Sequence, residues 1–179
     1  MSEKSALLIV DVQMAPLVWH QYGGPELYKS EELISNIEAL IEKARASSTP
    51  VIYIQYTELG DSYRAEGQPM WEIPPQIKPQ QGDLRILKYH ADPFYNTTLQ
   101  EQLTAMGINQ LVIVGVQTEF CVDTTCRTAF SLGYKNILVS DGHSTFDSNI
   151  MKAPQIIEHH NGIIGGLFAE LKKADEVVF

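Results

Sequence analysis

The chain has 179 residues, is 44% hydrophobic and 20% charged, and carries a formal net charge of −9. Those values fit one globular domain, expected over residues 1–179, with a sizeable core. The acidic balance argues against nucleic acid or an anionic membrane as a main partner. No apolar run approaches the ~20 residues that span a bilayer. The N-terminal run enters a strand directly and is too short for a signal-peptide core, so a cytoplasmic location is expected.

In chain order, Ala6–Val10 is a continuous apolar run closed by Asp11, the pattern of a strand buried on both faces. Leu33, Ile34, Ile37, Leu40, Ile41 and Ala44 form an i, i+3, i+4, i+7 stripe, which predicts an amphipathic helix over Glu31–Ala46. A strand is expected at Val51–Tyr56. Residues 57–83 hold Pro69, Pro74, Pro75 and Pro79 and read as a long loop, a type of segment that usually carries function. Arg85–Tyr89 is a short strand carrying Lys88, and Thr97–Met106 a helix stopped by Gly107. Leu111–Gly115 is the next strand. After a short polar turn, Cys121 stands where the following helix begins, with Val122, Thr125, Cys126, Ala129 and Phe130 as its buried stripe. Ile137–Ser140 is a further strand ending at Asp141. Pro154–Leu171 is helical in pattern, with a break expected around Asn161-Gly162, and Glu176–Val178 is a candidate last strand. Strands alternating with helices predict a three-layer α-β-α sandwich with a mostly parallel, Rossmann-like sheet.

Such sheets bind ligands at the carboxyl ends of their strands. Asp11, Lys88, Cys121 and Asp141 all fall there. A thiol at a helix N-terminus lies in the positive end of the backbone dipole, which favours thiolate. Asp11 is a candidate base for the thiol proton, and Lys88 a cation that would hold the anion. Together they supply a nucleophile, a base and a cation. Cys126, on the apolar stripe of the same helix, reads as core. The two cysteines form neither a disulfide framework nor a CxxC motif, and no Cys/His cluster has zinc spacing.

The segments ALLIVDVQ, KYHADPFYNTTL, LVIVGVQTEFCVDTTCRTAFSLGY and ILVSDGHSTF resemble those of the isochorismatase-like cysteine hydrolases, and the likeness runs over essentially the whole chain. The resemblance implies an Asp–Lys–Cys triad at Asp11, Lys88 and Cys121. It also implies a non-proline cis peptide at Val116–Gln117, which aims the N–H groups of Gln117 and Cys121 at a developing oxyanion. The implied reaction is hydrolysis of an amide, ureido or lactam C–N bond of a small molecule through a Cys thioester, without cofactor or metal. Nicotinamidases of the family carry a metal-binding Asp-x-His, but no histidine occurs here between His20 and His90. True isochorismatases lack the nucleophilic cysteine. The resemblance also implies a homodimer or higher homo-oligomer.

Trp19, Tyr56, Trp71 and Phe146 are candidates for an apolar substrate wall. Thr118 and Glu119 are substrate-site candidates beside the nucleophile, and Arg64 is a candidate partner for a substrate carboxylate. His143 and Ser144 are candidates for the pocket edge. Three other readings share these residues: a non-catalytic small-molecule-binding or interaction member of the fold, an isochorismatase-type hydrolase, and a thiol redox sensor. The presence of all three triad positions disfavours the first, Cys121 the second, and the lack of a suitably placed resolving cysteine the third.

Overall fold

The computed structural model describes residues 3–179. Six strands, β1 (Ser5–Val10), β2 (Val51–Tyr56), β3 (Leu84–Lys88), β4 (Gln110–Val116), β5 (Lys135–Ser144) and β6 (Glu170–Lys172), form one sheet in the order β3-β2-β1-β4-β5-β6. All neighbouring pairs are parallel, so the sheet is wholly rather than mostly parallel. A parallel sheet needs cover on both faces, which explains why its central strands read as unbroken apolar runs.

Alternate residues of each strand feed two cores. Leu7, Ile9, Val112, Val114, Ile137 and Val139 pack against helix α2 (Ser30–Ala46) through Leu33, Ile37, Leu40 and Ala44. Ala6, Leu8, Val10, Leu111 and Ile113 pack on the opposite face. There they meet α3 (Leu99–Ala105), α4 (Asp123–Ser131) and α5 (Ala153–Leu167) through Leu99, Leu103, Cys126, Ala129 and Ile164. Cys126 is therefore core. The chain leaves β1 toward β2 on one side, and β4 lies on the other, so β1 and β4 flank a topological switch point.

Four segments differ from the pattern in the sequence. Helix α1 (Met14–Val18) stands in a stretch to which the sequence pattern assigns no element, and its first N–H groups are satisfied by the long loop: Met14 N donates to the Glu72 carbonyl at 2.8 Å and Ala15 N to that of Met70 at 2.9 Å. Strand β5 runs past Asp141 to Ser144 through a register shift opposite Ile113 and Gly115. Helix α5 is unbroken at Asn161-Gly162, because Ile156 and Ile164 continue one buried stripe across them. It stops at Leu167, and the chain reverses so that Leu171 closes over Gly165, where a Cβ would meet its side chain at 2.7 Å. The last strand is thus Glu170–Lys172. Residues 176–178 form no strand, since Lys43 Nζ takes the carbonyls of Ala174, Asp175 and Val177 at 2.9, 3.0 and 3.2 Å.

Candidate active site

Asp11 leaves β1 with φ +53°, a left-handed conformation that aspartate tolerates better than most residues. Its N–H donates to the Ile54 carbonyl at 3.0 Å, which fixes the exit from the strand. Lys88, the last residue of β3, is fully buried, and its Nζ lies 2.7 Å from Asp11 Oδ2. The same ammonium donates to the Ala91 carbonyl at 2.7 Å. A buried lysine persists only where its charge is paired and its N–H groups are taken up.

Cys121 follows β4. The Val116–Gln117 peptide is cis, and Thr118–Val122 then form one π-helical turn before α4. Single π turns recur at functional sites. Phe120 N and Val122 N both donate to the Gln117 carbonyl, at 3.2 Å each, so the turn closes around the residue before it. Cys121 therefore sits two residues ahead of α4 and not at its first turn.

The electrostatics differ from those of a simple helix-dipole thiol. Burial pushes the Cys121 thiol up to about 12; the charge of Asp11 acts in the same direction and Lys88 opposes both. Burial likewise holds the Asp11 carboxyl above its ordinary range, against the pull of Lys88. For Lys88, burial disfavours the charge, but Asp11 and Cys121 outweigh it and hold the ammonium above its usual value. Burial thus favours a protonated thiol, and Lys88 lies at ion-pair distance from the Asp11 carboxyl beside it. A proton moving from sulfur to carboxylate would leave the net charge of the site unchanged.

Asp11 and Cys121 open onto a cavity of about 630 Å³, with Lys88 buried behind them. Trp19, Tyr56 and Phe146 line it, as do Asp11, Gln117 and Cys121. The sequence reading missed Tyr63, Tyr89, His90 and Phe120, which complete an aromatic rim. Trp19 tilts against Tyr63 at 5.9 Å, and it can do so only because residue 24 is glycine: a Cβ there would lie 1.2 Å from the indole. Arg64 also faces the cavity, stacked 4.9 Å from the Tyr56 ring and paired with Glu58.

Five candidates lie elsewhere; His143 and Ser144 line a separate cavity and not the edge of this one. Trp71 is buried behind the wall; its Nε1 donates to Thr57 Oγ1 at 2.9 Å and Arg85 stacks on its ring at 5.3 Å. Thr118 hydrogen-bonds His143, and Glu119 accepts from Thr145 Oγ1 at 2.8 Å. Neither lines the cavity. Gln13 is an unforeseen organiser: it donates to the Tyr56 and Trp71 carbonyls at 3.1 and 2.8 Å and accepts from Tyr56 N at 2.9 Å. The segment VDVQ carries the signal, a polar residue three positions past the end of a buried strand. Among the described residues no group of three or more His, Cys, Asp or Glu has metal-binding geometry, and no helix is long and apolar enough to cross a membrane.

The all-parallel α/β sheet is the fold expected from the resemblance to the isochorismatase-like hydrolases. The Isochorismatase domain matches residues 5–154, and the chain belongs to that family. It is 31% identical over 172 residues to a streptothricin hydrolase of Streptomyces noursei, with 96% of this chain and 60% of that protein covered. It is 30% identical over 182 residues to the ureidoacrylate amidohydrolase RutB of Variovorax paradoxus, covering 83% of this chain and 72% of the relative. The chain spans 60% and 66% of the length of two streptothricin hydrolases that it matches. A crystal structure of an isochorismatase family protein superposes with a TM-score of 0.87 at 34% identity, over 94% of this chain and 98% of the other.

Proposed function

We propose that the chain is a single-domain cysteine hydrolase that cleaves a C–N bond of a small molecule, with Cys121 as nucleophile, Asp11 as proton carrier and Lys88 as the cation that holds both. The observation that carries this reading is the buried 2.7 Å Lys88–Asp11 pair placed against Cys121 at the floor of an aromatic cavity. Streptothricin hydrolase and ureidoacrylate amidohydrolase among the relatives favour an amide, lactam or ureido substrate.

The steps follow from the protonation states. Asp11 takes the Cys121 proton as sulfur attacks the carbonyl carbon, and the C–S bond forms. The oxyanion is held by the N–H groups of Gln117 and Cys121. Asp11 then gives its proton to the leaving nitrogen, the C–N bond breaks, and an amine or ammonia departs. Water adds to the thioester and passes a proton to Asp11; the C–S bond breaks as sulfur takes that proton back, releasing the acid. Lys88 stays charged throughout. No step requires a cofactor or metal. By the family resemblance the working form is a homo-oligomer in the cytoplasm.

The test is a panel of small amides, ureides and lactams with ammonia or amine detection, followed by intact-mass spectrometry. An acyl adduct that maps to Cys121 and disappears in Cys121→Ala is expected. Turnover undiminished in Cys121→Ala would overturn the reading.

A further inference from the structure

The segment from the β5 register shift to Thr145, just past the strand, has no role in the chemistry above, yet it touches the nucleophile turn twice. Gly115 pairs with His143 and Val116 with Ser144, so these residues run beside the chain that leads into Gln117. From there His143 Nδ1 lies 2.9 Å from Thr118 Oγ1, and Thr145 Oγ1 donates to Glu119 at 2.8 Å. On its other side His143 Nε2 lies 2.9 Å from Asn161 Oδ1 on α5. Amide oxygen accepts only, so Nε2 carries the hydrogen and Nδ1 accepts from the Thr118 hydroxyl. Asn161 is itself tied to the Ser140 carbonyl through Nδ2, at 3.3 Å. The chain of bonds therefore has one direction, Thr118 to His143 to Asn161 to Ser140. It is buried at both Thr118 and His143. Neither residue lines the catalytic cavity while His143 and Asn161 form part of the wall of a separate one.

We propose that His143 is a positioning residue, which through Thr118 sets the π turn so that the Cys121 thiol is held against Asp11 and Lys88. This rests on the reading of Cys121 as the nucleophile, but it concerns the placement of the sulfur and not the substrate. A buried hydroxyl–imidazole–amide chain is costly to leave half-satisfied, so the turn has one preferred setting. Glu119–Thr145 is the second leg of the same clamp.

The experiment follows alkylation of Cys121 by iodoacetamide against pH, resolved from Cys126 by peptide mass, in Thr118→Val, Thr118→Ser and His143→Gln. Valine keeps the shape of Thr118 without its hydroxyl. Glutamine reaches the Asn161 side but offers no acceptor at the Nδ1 position. Loosening the turn draws the thiol away from its burial and from Asp11, so the alkylation midpoint is expected to move about one pH unit or more toward that of an ordinary thiol, roughly a tenfold change in thiolate at fixed pH. The shift should appear in Thr118→Val and His143→Gln, be largely absent in Thr118→Ser, and grow no further in the Val/Gln double variant. A role confined to stability would lower the unfolding temperature and leave the profile in place. Wild-type profiles in folded Thr118→Val would overturn the proposal, as would equal shifts in the Val and Ser variants; both comparisons survive if His143→Gln fails to fold. Because the readout needs no turnover, a protein that hydrolyses nothing on the panel can still show or lack the shift.

Discussion

Gly115 approaches Val10 so closely that a Cβ on residue 115 would lie 2.1 Å from the Val10 carbonyl oxygen. Gly115 also has φ +145°, a conformation that side chains rarely adopt. Both neighbours belong to central strands, and the obstructing atom is backbone, so the contact cannot relax by a rotamer change. Gly115→Ala is expected to cost about 4 kcal/mol or more, read as a lower urea midpoint. A midpoint within error of wild type would show that the strands separate more easily than their register suggests.

Lys88 is the positive partner of a site that must host a negative charge either on carboxylate or on sulfur. Without it, one anion would lie in a buried pocket with no cation. Lys88→Met is therefore expected to move Cys121 alkylation to higher pH and to slow it at least tenfold at pH 9, and to abolish turnover. An unchanged alkylation profile would count against Lys88 as the stabilising charge. The direction is opposite to that expected for Thr118→Val, so the two variants separate loss of the cation from loss of placement.

His143 gives the fold a pH dependence. Burial lowers its pKa from 6.5 to about 4, so the unfolded chain binds a proton near pH 6.5 that the native state takes only near pH 4. Between those values the unfolded state holds more protons, and stability falls as pH falls. The contribution is complete above pH 6.5 and reaches at most about 3 kcal/mol of loss below pH 4. Denaturant titrations at pH 7 and pH 4.5 should show a smaller pH effect in His143→Gln than in wild type. Equal slopes would mean that the imidazole titrates normally in the fold.

Gln13 satisfies two carbonyls and one N–H with a single side chain. Gln13→Ala removes the side-chain acceptor of Tyr56 N and leaves the Trp71 carbonyl with only Gln55 Nε2, at 3.2 Å, a loss of about 1–3 kcal/mol. Limited proteolysis should then cut within residues 57–83 at protease levels that spare the wild type. Resistance equal to wild type would show that the Trp71 contacts and the α1 N–H bonds to Met70 and Glu72 hold the loop without Gln13.

Asp11 and Lys88 were legible as candidates because each closes a buried strand, and Cys121 because it follows one after a short polar turn, where a charge or thiol has few structural reasons to be. Glycine at 107 and the apolar stripe of α2 were equally plain, since both are local signals. Trp71 misled because an aromatic in a long loop resembles a binding-site wall, whereas here it plugs the core and its N–H finds Thr57. His143 and Thr145 were missed as partners of the nucleophile turn because SDGHST reads as a polar loop. The register shift that extends β5 depends on Gly142, where a Cβ would meet Val114 and Val139 at 2.8 Å. That is a tertiary relation with no local periodicity. Helix α1 is hidden for the same reason: five residues containing a proline have little propensity of their own and rely on carbonyls supplied from sixty residues away.

Gln13 holds the long loop by its main-chain oxygens at Tyr56 and Trp71, with no reference to the side chains there. Recognition of that kind is blind to sequence. The course of residues 57–83 is thereby separated from their chemical character. Side chains facing the cavity from this segment, Tyr63 and Arg64 among them, can be substituted without removing the Gln13 bonds that set the path of the scaffold. One amide two residues from Asp11 thus gives the fold a fixed frame with interchangeable contents.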